Sequence, residues 1–295
     1  MIKKFIITSA VLIVTYLALI QGKLWYHAHR DAKSGKNASQ PEQKEIGQHV
    51  YSFSFSKYTE TGKKELEIEG DSADIFSKNV GLMNVIAKAY AEESPVTITA
   101  DQGSLDRSTS EILLNRNVVA TTENGTRLMT EQLEINPTDK RMESQTETKV
   151  KKDNIHIEGM GATSDSELSK VTFKKNVTVV IQDPDSDSKA PTVITSDGPL
   201  EVDYKRNVAH FTKNVVANHA QGTLTADYID VIYQKDTRRV SKMIARGNVI
   251  IVSKEGNKTF SDNAVYLAKE GRIVLGGDVE AEYRSRESGA DQNLF

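Results

Sequence analysis

The chain contains no cysteine. Disulfides, thiol nucleophiles and cysteine-based metal sites are therefore excluded. The absence is compatible with an oxidising compartment without requiring one. Aromatic residues make up only 6% of the sequence, which points to a thin or elongated core. Neither sign of charge dominates: 38 Lys and Arg against 41 Asp and Glu leave a net charge of −3. That balance offers no electrostatic footprint for nucleic acid. Nucleophile-elbow, phosphate-loop and zinc-protease signatures are missing as well.

The remaining chemistry-bearing residues are scattered. His156 stands between Ile155 and Ile157, and His210 between Ala209 and Phe211, so both point away from an apolar face. His27, His29, His49 and His219 have no partner at a strand or helix spacing suited to a metal. Asp183, Asp185 and Asp187 resemble the start of a calcium loop. Ser188 and Ile194, however, stand where the loop needs Gly and Glu, and a solvated turn is the better reading. Carboxylates are spread over turns and outer faces. A facing pair of the glycosidase kind is assembled in space and is not legible here. The expectation is a protein without catalytic residues, cofactor or metal.

Hydrophobic residues make up 38% and charged residues 27% of the 295, the profile of a globular chain of one or two domains. Lys3 and Lys4 precede an uncharged apolar run, Phe5 to Ile20, followed by Trp25 and Tyr26. Extended to Tyr26, a helix reaches roughly 33 Å, enough for a bilayer core. The two aromatics fall at its interfacial end. An uncleaved anchor over 1–28 is favoured over a cleaved signal peptide, because no small-x-small signature follows the run. Lys23, Arg30, Lys33 and Lys36 lie beyond it, so the positive-inside count does not fix orientation. A short inner tail with the bulk exported is the simpler topology. Residues 29–48 are polar and read as a tether.

What the rest of the chain has in abundance is one repeated pattern. Arg116-Asn117-Val118, Lys175-Asn176-Val177, Lys213-Asn214-Val215, Gly247-Asn248-Val249 and Gly277-Asp278-Val279 each sit inside an alternating apolar stripe. Ile112, Leu114, Val118 and Ala120 share one parity, as do Val171, Phe173, Val177 and Val179, and Ala209, Phe211, Val215 and Ala217. Met243, Ala245, Val249 and Ile251 follow suit, then Ile273, Leu275, Val279 and Ala281. Residues two apart share one face of a strand, so each copy predicts a long strand with one apolar face. Arg116, Lys175 and Lys213 fall on the apolar parity, which predicts a bulge or rim there. Tyr51, Phe53 and Phe55 alternate with serine and predict a half-buried strand. Val80 to Ala91 is ambiguous between helix and strand, with strand preferred.

Turns are predicted at Asn124-Gly125 (a two-residue hairpin), Asn136 to Asp139, Gly159 to Asp165, Asp197-Gly198-Pro199, Glu255 to Asn257 and Glu270-Gly271. The five valines are 59, 38, 34 and 30 residues apart. This spacing is too uneven for a parallel β-helix and favours stacked antiparallel hairpins. The segment 183–191 is a polar break, either a linker or a long hairpin tip, and the tail is charged.

Val96 to Asp106, Ile112 to Ala120, Asn124-Gly125, Leu128 to Ile135 and Ile155 to Gly161 together resemble LptC, the inner-membrane-anchored periplasmic component of lipopolysaccharide export. Arg116 stands where that family has glycine. Ile194 to Asp197, Ala209 to Ala217, Leu224 to Ile229 and Ala245 to Val249 resemble the related OstA/LptA domain. The resemblance implies an all-β fold, an open antiparallel β-jelly roll of stacked hairpins preceded by one transmembrane helix. It implies an LptC-like roll over 49–182, an OstA/LptA-like module over 190–285 and a disordered tail over 286–295.

The implied function is to accept lipopolysaccharide from an inner-membrane ABC transporter and pass it along an apolar trough toward the outer membrane. The implied trough residues are Ile112, Leu114, Val118, Ala120, Val171, Phe173, Val177, Val179, Ala209, Phe211, Val215 and Ala217; the same residues could instead form a dry core. Exposed strand edges pair readily with other chains. Tyr51, Phe53 and Phe55 are therefore expected to meet the transporter's periplasmic domains. Val279, Ala281 and Tyr283 are expected to meet an LptA-like bridge protein. The alternative is a membrane-anchored periplasmic scaffold that binds protein or glycan and carries no lipid; a hydrolase comes third.

Overall fold

The computed structural model describes residues 47–90, 95–182, 190–234 and 239–283. The apolar run Phe5 to Ile20, most of the tether, the Asp183–Asp187 series and the tail lie outside the described residues. Among those described there is no helix, and hence none long and apolar enough to cross a membrane. The strands are β1 (Gln48–Tyr58), β2 (Lys64–Ile75), β3 (Asn79–Ala89), β4 (Val96–Asp106), β5 (Ile112–Thr122) and β6 (Arg127–Asn136). They continue with β7 (Arg141–Lys152), β8 (Ile155–Asp165), β9 (Lys170–Ile181), β10 (Thr192–Ser196), β11 (Leu200–Asp203) and β12 (Val208–His219). The last are β13 (Gly222–Tyr233), β14 (Val240–Ser253), β15 (Lys258–Leu267), β16 (Arg272–Gly276) and β17 (Glu280–Glu282). The Val80 to Ala91 segment is thus strand, as preferred.

Each strand pairs antiparallel with its sequence neighbour from β1 to β9. β10 and β11 both pair with β9 and with β12, so they are two pieces of one broken rib. The ladder then runs on through β12, β13, β14 and β15. It ends on β16 and β17, a second broken rib paired with β15. The sheet is therefore continuous across residues 183–189, and one hydrophobic cluster extends from Ile68 to Ala264.

The repeated pattern is a bulge. Register slips by the same amount at Asn115/Val118, Thr212/Val215 and Arg246/Val249. Backbone φ is positive at Arg116 (64°), Asn117 (50°), Asn176 (54°), Lys213 (69°), Asn214 (51°), Gly247 (75°), Asn248 (47°) and Gly277 (84°). A bulge bends its strand, so every rib divides into two arms. The arm before the β5 bulge, Ile112 to Asn115, pairs through β6 with the start of β7; this is the A arm. Val118 to Thr122 belongs to the B arm.

Five details depart from the sequence reading. Arg116, Lys175 and Lys213 do not stay on the apolar face; the left-handed turn swings them into solvent, while Val118, Val177 and Val215 resume the interior. Ser52 has φ 54°, which breaks the expected alternation. Tyr51 pairs with Ser72 on the outer face, and Phe53 and Phe55 pair with Gly70 and buried Ile68 on the inner one. Gly159 to Asp165 is not a turn but the second half of β8. Its glycines make room: a Cβ on Gly159 would lie 2.9 Å from the Phe173 ring, and one on Gly161 3.0 Å from the Lys174 stem. At Asn124-Gly125 only the glycine has positive φ, and Thr122 N–H donates to Thr126 C=O, so the hairpin loop is longer than two residues. Asp197-Gly198-Pro199 is likewise no reversal but the corner between β10 and β11.

Candidate functional site

Along the outer side of the bulges runs a ladder of hydrogen bonds. The Asn117 amide donates to Asp101 at 2.7 Å, Asn214 to Asp197 at 2.7 Å, and Asn248 to Asp227 at 2.9 Å. Asn84, with φ 51°, does the same to Asp71 at 2.7 Å. At the last rib the Asp278 N–H donates to Asp262 at 3.2 Å. Asparagine suits these places because it tolerates left-handed backbone and carries a donor. A sequence signal for the ladder exists: a buried small residue before the acid, in Ala100-Asp101, Ser196-Asp197, Ala226-Asp227 and Ser261-Asp262.

Where the asparagine pattern is missing, other groups hold the bend. Thr130 shares hydrogen bonds of 2.8 Å with Ser144 and with Thr146 across β6 and β7. Lys174 reaches over Gly161 to Glu143 at 2.6 Å and Gln145 at 3.0 Å. The Lys174 hydrogen bond holds the Glu143 carboxyl below the usual carboxylate range, against a smaller opposing effect of burial. Near the first rib, Glu67 accepts from Lys64 at 2.6 Å and from Tyr90 at 2.8 Å; these bonds, the lysine's first, keep it ionised.

Inside the bend lie the expected trough residues. Ile112, Leu114, Val118, Ala120, Val171, Phe173, Val177, Val179, Phe211, Val215 and Ala217 are buried, and Ala209 is partly buried against them. Val179, Ala209 and Phe211, with Ile157, Leu200 and Val202, line a small apolar void. Farther along, the two arms part around a cleft of about 740 Å³. Its B-arm wall includes Ile181, Ile194, Ala217, Leu224 and Ile251; its A-arm wall includes Val240, Met243, Ala264, Tyr266 and Ile273. Of the twelve trough candidates, only Ala217 lines this opening. Arg239, Lys269 and His219 stand among its polar lining.

Both ends of the sheet are open among the described residues. β1 pairs only with β2, and β16 and β17 only with β15. Tyr51 is 79% and Phe55 53% exposed, with Phe53 partly covered. Val279 is 51% and Tyr283 82% exposed, and Ala281 is exposed beside Thr259. His49 meets Asp74, and His210 meets Asp230, on outer faces. Among the described residues no three His, Asp or Glu side chains gather around a possible cation.

No curated protein matches the chain. Two family descriptions do. Residues 193–292 match "LptA/(LptD N-terminal domain) LPS transport protein", an assignment that falls on the half carrying the open cleft. Residues 11–182, more than half of the sequence, match "Lipopolysaccharide-assembly, LptC-related", and with its bent antiparallel ribs the chain belongs to that LptC family, extended by an LptA-like module.

Proposed function

We propose that this protein is a bridge component that accepts lipopolysaccharide from an inner-membrane ABC transporter and passes it toward the outer membrane. The observation that carries the reading is the single apolar interior shared by two transport-family modules, opening into a cleft in the second. Each buried methylene contributes about 0.8 kcal/mol, so exposing a dozen-carbon acyl chain to water costs on the order of 10 kcal/mol. An apolar path lowers that cost at every step. Similar affinity at successive ribs lets an external pump set direction. The anchor over 1–28 holds the chain at the inner membrane with its bulk in the periplasm, and the rolls over 49–182 and 190–285 act in series. The role is carriage, not catalysis.

The free β1 edge suits pairing with the transporter's periplasmic domains, and the β16/β17 edge suits the next bridge protein. Ala281→Pro removes a backbone donor from that edge. A pull-down of an LptA-like partner is expected to fail with this variant.

Native mass spectrometry of the purified chain with lipopolysaccharide tests carriage. One lipid bound per chain, lost on Met243→Asp or Leu224→Asp, supports it. The scaffold reading draws on the burial of the first module's trough residues. Protein partners retained with no lipid at any concentration would favour that reading.

A further inference from the structure

A polar cluster interrupts the apolar interior at the free ends of the β5, β6 and β7 B arms. Thr122 and Thr126 are buried there, and their hydroxyls donate to the Asn124 side-chain oxygen at 2.7 and 2.9 Å. The Lys152 ammonium approaches the same oxygen at 3.4 Å, with the residue only 6% exposed. It also lies 4.8 Å from the centre of the Tyr204 ring. Tyr204 follows β11, whose residues pair with the A arm of β9. The contact therefore spans the mouth of the roll from one arm to the other. Tyr204 lines the small void with Ile155, Ile181 and Val240, and both Ile181 and Val240 also line the open cleft. The contact thus stands at the boundary between the small void and the cleft.

We propose that Lys152 and Tyr204 form a gate across the mouth of the trough, separating the first module's interior from the cleft. The proposal rests on the reading of the interior as a lipid path. The two sides of the bend are held differently. Each bulge is tied by its own hydrogen bonds between strands. The mouth at this point is bridged by a cation–π contact between side chains of the two arms, which a swing of the lysine would break. Lysine suits the place, because its long stem lets the ammonium swing into water when the mouth parts. Thr122 and Thr126 remain bonded to Asn124 when the lysine moves.

The chain has no native cysteine, so Ile157→Cys places a unique reporter behind the gate. Its maleimide labelling is expected to be slow in the otherwise native chain and at least ten-fold faster with Tyr204→Ala or Lys152→Met. Tyr204→Phe keeps the ring and should keep the slow rate. Unchanged rates in both Tyr204→Ala and Lys152→Met, the latter retaining an apolar stem, overturn the gate.

A second arm ties Lys152→Cys to Tyr204→Cys with a bismaleimide and compares photo-reactive residues at Met243 and Leu128 during lipopolysaccharide transport. Loss of lipid adducts at Leu128 with retention at Met243 supports the gate, and adducts at both sites in the tied chain overturn it. Lipid adducts at neither site in the untied chain sink the carriage reading instead, while the labelling rates still decide the gate.

Discussion

The backbone at each bulge decides which residue can stand there. Gly277 has φ 84°, and a Cβ would lie 2.0 Å from Asp262 Oδ2. Gly277→Ala is expected to destabilise by about 2 kcal/mol or more, since left-handed strain and the clash add. Arg116, at φ 64°, already bears the conformational strain. Arg116→Gly relieves it but frees the unfolded chain, so stability should stay within about 1 kcal/mol of the parent. Urea denaturation of the two variants checks both.

Acid should loosen one bend in particular. Glu143 is held below its ordinary pKa by Lys174. A carboxyl depressed on folding contributes stability that is present above its unfolded pKa and is lost as pH falls through the folded one. Lys174→Met should therefore flatten the dependence of stability on pH below the usual carboxylate range. Equilibrium denaturation across that range measures it, and an unchanged slope would argue against the bridge.

At the scale of the strand, the Asp–Asn pairs are the recurring device. A double-mutant cycle on Asp227→Ala and Asn248→Ala should return a coupling of about 1 kcal/mol, the worth of one hydrogen bond to a charged group that water still reaches. Phe173, fully buried and covering Gly159, carries more: Phe173→Ala should cost about 3–5 kcal/mol. The ribs were legible because alternation needs only residue order. Their bends were legible only in part. Counting parity put Arg116, Lys175 and Lys213 on the inner face, but left-handed geometry at Arg116-Asn117, at Asn176 and at Lys213-Asn214 consumes the odd step and turns them outward. Ser52 reverses Tyr51 in the same way, and serine gives no sign of it. Gly159 and Gly161 looked like turn residues because their actual use, space for Phe173 and Lys174, comes from a neighbouring strand. The void and the cleft depend on how one arm meets the other, which no local pattern encodes.

Across the whole described unit, two transport-family modules share one sheet and one interior. β9 belongs to the first module and hydrogen-bonds β10 and β11 of the second, so their joint is made within one chain. An intramolecular joint needs no encounter between partners and is favoured by effective concentration. The first module's trough residues are buried and the wide cleft opens mainly along the second, so carriage along the full path requires the closed ribs to admit cargo. Photo-crosslinking from Phe173, Phe211 and Met243 during lipopolysaccharide transport tests that most directly. Lipid adducts at all three positions are predicted; protein-only labelling at all three would contradict the account.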